Sequence, residues 1–392
     1  MKRTSCAWMP GDPLGRRELV TVSGGSPLAL ERGGELSPVV VAYETWGTLD
    51  ASRSNAVLVL HPLTGDSHAA GPAEPGHPGR GWWDDLVGPG KAIDTDRFFV
   101  VCPNALGGCQ GTTGPTSIAP DGRLYGSRFP HITVRDQVAV LRGLADALEI
   151  ERWAAVAGGS MGGMQALEWC VTHPDRARLA ILIGTCAVMN AEQIALNSLQ
   201  AKAIRLDPHF HGGDYHDPPD CTVADCPGPI EGMTLARRLG LLGYRTEEEI
   251  ERRFGNRPAD GEDPMSGGRF AVEAYLDHSS ERLARRFDAG SYVTLNEAMM
   301  THDVSRGRGS LSEALSRVTA RVLLIGIDTD RTFPLRAQRQ IADLLPDRSR
   351  LETIQSLVGH DALHTEIDAV GAILKGGLDP LLSPRARSPR VP

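Results

Sequence analysis

A chain of 392 residues exceeds a typical domain, so it requires one large α/β domain carrying an insertion, or two domains. With 41% hydrophobic and 23% charged residues it has the balance of a globular fold, not of a disordered or membrane-embedded chain. A formal charge of −8 argues against a broad basic face for nucleic acid or an anionic membrane, while leaving room for a local basic pocket.

No apolar run approaches the roughly 18 residues that cross a bilayer, and the N-terminus lacks the apolar core of a signal peptide, so a cytoplasmic protein is expected. The seven cysteines (Cys6, Cys102, Cys109, Cys170, Cys186, Cys221, Cys226) are scattered, with no C-x-x-C pair. They read as buried small apolar residues in a reducing compartment. Cys221 and Cys226 follow His209, His211 and His216, but the order His, His, His, Cys, Cys fits no familiar zinc spacing, and no metal is expected.

In chain order, residues 1 to about 35 read as an irregular or hairpin opening, with Gly24-Gly25 and Gly33-Gly34 as turns. Val39 to Thr45 reads as an early strand. Ala56 to Leu60 and Phe98 to Val101 are short apolar runs between polar turns, as expected of strands buried on both faces. Val134 to Ile150 has helical spacing, Trp153 to Ala157 reads as a strand, and Gln165 to Trp169 continues a helix-like run. Leu179 to Ile183, Arg321 to Ile327 and Leu351 to Ile354 add strands, and Leu363 to Leu374 a helix. This alternation predicts a mostly parallel sheet covered on both faces. Between 187 and 306 the rhythm becomes helical (Ala191 to Ala203, Thr234 to Leu242, Glu247 to Arg253, Phe270 to Phe287), with long loops near 207–230 and 255–268. The expected organisation is therefore a core of 1–186 and 307–382, a helical cap of 187–306 over the C-terminal edge of the sheet, and a disordered tail of 383–392 rich in Pro, Arg and Ser.

Gly158-Gly159-Ser160-Met161-Gly162 sits where a strand turns into a helix. It fits the G-x-S-x-G elbow, in which a serine takes a strained backbone angle and glycines let strand and helix pack around it. A serine hydroxyl needs a base, and the base needs a carboxylate to fix its tautomer. In such sheets the order along the chain is Ser, then Asp or Glu, then His, the last two in loops after late strands. His360 alone among twelve histidines follows a late strand and precedes a helix-like run. Asp328 and Asp330 both end the strand from Arg321 to Ile327, and pattern does not choose between them. The oxyanion of an acyl transfer needs two N–H donors. Met161, after the nucleophile, supplies one; Leu63, in the turn His61-Pro62-Leu63-Thr64-Gly65 after an early strand, is the candidate for the other.

Taken together, these blocks resemble the homoserine O-acetyltransferase family of α/β-hydrolase-fold acyltransferases. The matching stretches are His61 to His68, Trp82-Trp83-Asp84, Ile93 to Val100, Asn104 to Cys109, Gly158 to Gln165, Arg285 to Asp288, His302 to Gly309 and Gly359 to Ala362. The resemblance implies Ser160 as nucleophile, Asp330 rather than Asp328 as acid, and His360 as base. It further implies that Arg237 meets the homoserine carboxylate with Tyr244 near it, that Asp361 meets the ammonium, and that the chain forms a homodimer through cap helices. A zwitterion does require one guanidinium fork and one carboxylate set apart. Two departures are Pro62, where the family more often has Ala, and Leu363-His364 in place of Phe-Leu.

The function this implies is two-step transfer of acetyl from acetyl-coenzyme A, a co-substrate, to L-homoserine through acyl-Ser160. No cofactor is called for. A succinyl-transferring relative would need a cation for the extra carboxylate, and a serine acyltransferase would differ by one methylene in its acceptor. An esterase would not need the Arg237 and Asp361 clamp, and a non-catalytic binding protein would not need three triad members.

Overall fold

Short aliphatic runs without polar alternation make strands that have to be covered on both faces, and these runs form the middle of the sheet. The computed structural model describes residues 7–22, 26–216 and 228–381. Its strands are β1 (Glu18–Thr21), β2 (Leu28–Ala29), β3 (Glu35–Leu36), β4 (Val40–Trp46), β5 (Ala56–Leu60), β6 (Val87–Gly88), β7 (Ile93–Asp94), β8 (Phe99–Pro103), β9 (Ala155–Gly159), β10 (Leu179–Ile183), β11 (Arg321–Ile327) and β12 (Ser349–Ile354). Eight of them form one sheet in the order β1-β4-β8-β5-β9-β10-β11-β12. The first two pairings are antiparallel and the remainder parallel. Leu60, Gly158 and Leu182 lie side by side, and Ile183 lies beside Ile325, so the loops after β5, β9, β10 and β11 leave one edge together.

The period of two along each strand divides the core. Leu58, Leu60, Val156 and Leu182 join an apolar layer on one face, while Val57, Val59, Ala155, Ala157, Ile181 and Ile183 join the layer on the other. Burying each Val, Leu or Ile contributes roughly 1.5–3 kcal/mol. The helices are α1 (Val134–Ala147), α2 (Met161–Thr172), α3 (Ala191–Leu206), α4 (Ile230–Tyr244), α5 (Glu247–Phe254), α6 (Ala271–Ala284), α7 (Ala289–Met300), α8 (Leu311–Leu315), α9 (Leu335–Leu344), α10 (Ala362–Thr365) and α11 (Ile367–Leu378). Side-chain oxygens of Thr133, Asn190, Thr246 and Asp288 cap α1, α3, α5 and α7. Helices α3 to α7 all fall between β10 and β11; α3 packs on α4 and α7, and α4 on α6. A third apolar cluster joins them to the loops at the strand ends through Leu63, Met161, Met164, Phe287, Tyr292 and Phe333.

Several boundaries differ from expectation. The helix expected from Phe270 to Phe287 is α6, which ends at Ala284, and α7 follows it as a further helix beyond those expected; the run after Leu363 breaks at Glu366 into α10 and α11. Strand β1 carries no apolar pattern because it is a largely exposed edge strand. The Gly33-Gly34 turn joins β2 to β3, both glycines having positive φ. Gly24-Gly25, Cys6, Cys221, Cys226 and the tail from 383 lie outside the described residues.

Candidate active site

The elbow is built from glycines because nothing larger fits. A Cβ on Gly162 would lie 2.1 Å from Leu60 O, and one on Gly158 would lie 2.4 Å from the Gly162 carbonyl. Between them Ser160 holds φ 56° and ψ −121°, a backbone cost on the order of 1–3 kcal/mol that the surroundings must outweigh. They do so with hydrogen bonds: Ser160 N–H donates to Ile183 O at 2.9 Å, and Thr185 Oγ1 donates to Ser160 O at 2.9 Å. Ser160 is buried at the start of α2, whose N-terminal end favours developing negative charge there.

At the ends of the two neighbouring late strands, the structure separates the two aspartates. Asp330 Oδ2 accepts from His360 Nδ1 at 2.7 Å while its Oδ1 accepts from Phe333 N–H at 2.9 Å; both side chains are buried. Asp328 is exposed and accepts instead from Ser356 N–H at 3.1 Å. The carboxylate fixes the proton on Nδ1 and leaves Nε2 to act on a reacting hydroxyl. Burial alone would lower the His360 pKa, but the charge and hydrogen bond of Asp330 outweigh it and hold the imidazole above its ordinary value.

Leu63 and Met161, the two proposed N–H donors, are buried in the third apolar cluster. Met161 is the first residue of α2, a position whose N–H has no intrahelical acceptor. The loop bearing Leu63 is pinned at both ends by residues that sequence reading did not single out. His61 Nε2 accepts from Ala105 N–H at 2.9 Å, and its Nδ1 donates to Pro62 O at 2.8 Å, so the ring is neutral; burial lowers its pKa in the same direction. At the far end, His68 Nδ1 lies 2.9 Å from Glu44 Oε2 and its Nε2 lies 3.2 Å from Pro72 O. Both neighbours only accept, so His68 carries both protons. Burial would lower its pKa, but Glu44 outweighs that and raises it.

Glu44, His68 and His77 are the group of potential metal ligands found among the described residues. The two imidazole rings stack at 4.0 Å with an interplanar angle of 11°. Lone pairs in two parallel planes do not converge on one ion, and His77 Nε2 already accepts from Arg16 N–H at 3.1 Å, so the arrangement suits a proton and not a metal. Two of the three histidines of the 207–230 loop have other partners: His209 lies beside Asp207, and His216 Nε2 is 2.9 Å from Asp288.

The inserted helices bring the residues of the expected amino-acid clamp to His360. The Tyr244 ring lies 5.7 Å from the His360 ring, and the Arg237 guanidinium lies 5.2 Å from the Tyr244 ring centre. Burial raises the Tyr244 pKa, with Arg237 opposing. Arg237 has no carboxylate partner among the described residues, and its buried Nε has no hydrogen-bond partner. Asp361, expected to stand free for an ammonium, instead lies 2.9 Å from Arg245 Nε. Sequence reading missed this because a contact across more than a hundred residues leaves no local pattern.

A strained serine elbow, a buried His–Asp pair on the following strand loops and helices inserted above them define a protein of the α/β-hydrolase fold equipped for acyl chemistry. The family model of the alpha/beta hydrolase fold matches residues 55–366. Within that fold, the chain belongs to the homoserine O-acetyltransferase family. A homoserine O-acetyltransferase of Thermobifida fusca (strain YX) is 56% identical over 369 residues, 94% of this chain and 95% of that protein. The crystal structure of a homoserine O-acetyltransferase from Bacillus anthracis superposes with a TM-score of 0.83 at 31% identity, covering 93% of this chain and 97% of that one. The crystal structure of esterase E22 superposes with a TM-score of 0.81 at 28% identity, covering 92% and 99%.

Proposed function

We propose that the chain is a homoserine O-acetyltransferase that works by two acyl transfers on Ser160. In the first, His360 Nε2 takes the Ser160 Oγ proton as Oγ attacks the thioester carbonyl of acetyl-coenzyme A. The oxyanion is received by the N–H groups of Leu63 and Met161, and His360 returns the proton to the departing thiol. In the second, His360 takes the hydroxyl proton of L-homoserine, whose oxygen attacks the acyl-serine; Ser160 leaves as the alcohol with that proton. Asp330 orients His360 and stabilises its cationic form throughout. The chemistry needs no cofactor and no metal.

The observation that carries this reading is Arg237, a half-buried guanidinium beside the base with no carboxylate of its own among the described residues. A hydrolase that uses water as acceptor has no call for it, whereas an amino acid brings the missing carboxylate. In this reading residues 187–306 act as a cap over the core of 1–186 and 307–382, protecting the acyl-enzyme from water. Exposed apolar side chains on α3 and α4 (Leu199, Leu206, Leu235 and Leu242) support a homodimer formed through the cap. Buried free thiols at Cys102, Cys109, Cys170 and Cys186 suit the cytoplasm.

The structural likeness to an esterase supports hydrolysis as a second reading. One assay separates them: release of free coenzyme A from acetyl- or succinyl-coenzyme A, with L-homoserine, L-serine or water as acceptor. The expected result is turnover dependent on acetyl-coenzyme A and L-homoserine together. Equal rates with and without the amino acid would make the chain an esterase, and preference for succinyl-coenzyme A or L-serine would replace one substrate.

A further inference from the structure

A row of alternating charges links the inserted helices to the loop of the base. Arg253 Nη1 and Arg245 Nη1 both donate to Glu249 Oε1, at 3.0 and 3.2 Å, and Arg245 Nε lies 2.9 Å from Asp361 Oδ2. The Arg245 and Asp361 side chains are only 16% and 21% exposed, so the pair is less screened than one on the surface. The Arg245 Nε–H makes no hydrogen bond, which means that it points off the line to Oδ2 and that charge holds the contact.

Arg245 is itself held in place. Gly243 O accepts from Thr332 Oγ1 at 3.0 Å, and Thr246 Oγ1 donates to Leu357 O, so the segment bearing Arg245 is tied to both the Asp330 loop and the His360 loop. Only glycine fits at 359, where a Cβ would come within 2.9 Å of Tyr244 O. Arg245 Nε being paired by charge with Asp361, the described buried polar atoms of this region without a partner are Arg237 Nε and Glu249 Oε2. Native interiors rarely leave such groups unpaired, and a polar ligand can supply the missing partners. Asp361 Oδ1 receives no hydrogen bond from the described residues.

Building on the reading of the chain as an acyltransferase to an amino acid, we propose that Arg245 is a positioning residue for acceptor recognition. It draws Oδ2 of Asp361 towards the inserted helices and so turns Oδ1 to the ammonium of the acceptor, opposite the Arg237 that takes its carboxylate. Without Arg245 the Asp361 side chain loses its fixed rotamer, and the ammonium has to order it on binding.

The test is a double-mutant cycle on the full-length protein. KM for L-homoserine is measured in the parent, Arg245→Ala, Asp361→Ala and the double variant, with 4-hydroxybutyrate, which lacks the ammonium, as a second acceptor. Arg245→Ala should raise the KM for L-homoserine roughly tenfold with a smaller change in kcat, and narrow the preference over 4-hydroxybutyrate. In the Asp361→Ala background the same change should have little further effect. Arg245→Lys, which can reach Asp361 or Glu249 but not both, should recover part of the loss and covers the case in which alanine impairs folding. Additive effects, or equal losses with both acceptors, would overturn the proposal by making Arg245 a contact for the carboxylate or a structural tie. A lower KM in Arg245→Ala would overturn it by making Arg245 a competitor of the ammonium. A parent protein that transfers nothing to L-homoserine would instead sink the function on which the proposal rests.

Discussion

At the scale of single residues, two aspartates two positions apart have different surroundings. Asp330 is buried against His360, and Asp328 ties down Ser356 from the surface. Asp330→Asn should therefore lower kcat for coenzyme A release by roughly 10³ to 10⁴, and Asp328→Asn by far less. Steady-state rates of the two variants check this, and the reverse ranking would give Asp328 the catalytic role. The pH profile offers a second readout. Because Asp330 holds the His360 pKa above its ordinary value, the neutral base disappears as pH falls through that raised pKa, and kcat/KM should decline already above pH ~6.5. Pattern alone left this choice open, since both aspartates end the same strand and the rotation that buries one of them is a tertiary outcome.

At the scale of elements, the junction of β9 and α2 shows why some of the site was legible in the sequence. The glycines at 158 and 162 are required by backbone atoms a few residues or one strand away, so the requirement appears as a compact motif. Gly162→Ala would place a Cβ against Leu60 O and should destabilise the protein by at least 1–3 kcal/mol, about the cost of overpacking a core, with loss of activity. Gly376→Ala in α11 meets nothing within 4 Å and should stabilise by roughly 0.5–1 kcal/mol. Thermal melting of both variants measures the contrast; equal shifts would mean that the elbow yields more readily than its contacts imply. Other elements were less legible for a physical reason. Helix α7 buries residues around most of its circumference, including Tyr292, Val293, Leu295, Asn296 and Ala298, so it has no amphipathic period to mark it off from α6. Strand β1 is four residues long and mostly exposed, with only Val20 half-buried against the core. Arg245, Glu249 and Asp361 are each ordinary in their own stretch of chain, and their alignment exists only once the inserted helices lie on the His360 loop.

At the scale of the whole molecule, stability should be lost on acidification in two separable windows. His302 is buried with Nε2 3.2 Å from Cys186 O, and burial lowers its pKa to about 4. Burial likewise lowers His173 to about 4. An unfolded histidine titrates near ~6.5, so between there and pH ~4 the unfolded chain takes up protons that the folded chain refuses. The stability that these two buried neutral histidines contribute is therefore complete above pH ~6.5 and falls as pH drops towards ~4, with His302 contributing a loss of about 3 kcal/mol across that interval. Glu168 acts lower down. Burial would raise its pKa, but the hydrogen bond from Arg308 outweighs that and lowers it, so its contribution is kept above the ordinary carboxylate range and lost only as pH falls below it. Denaturant unfolding at a series of pH values should show the first decline between ~6.5 and ~4, and His302→Gln should make it shallower, since an amide keeps a donor for Cys186 O and does not titrate, while His173 still contributes. If the variant and the parent fall in parallel over that interval, the buried imidazole at 302 is not what makes the fold sensitive to mild acid.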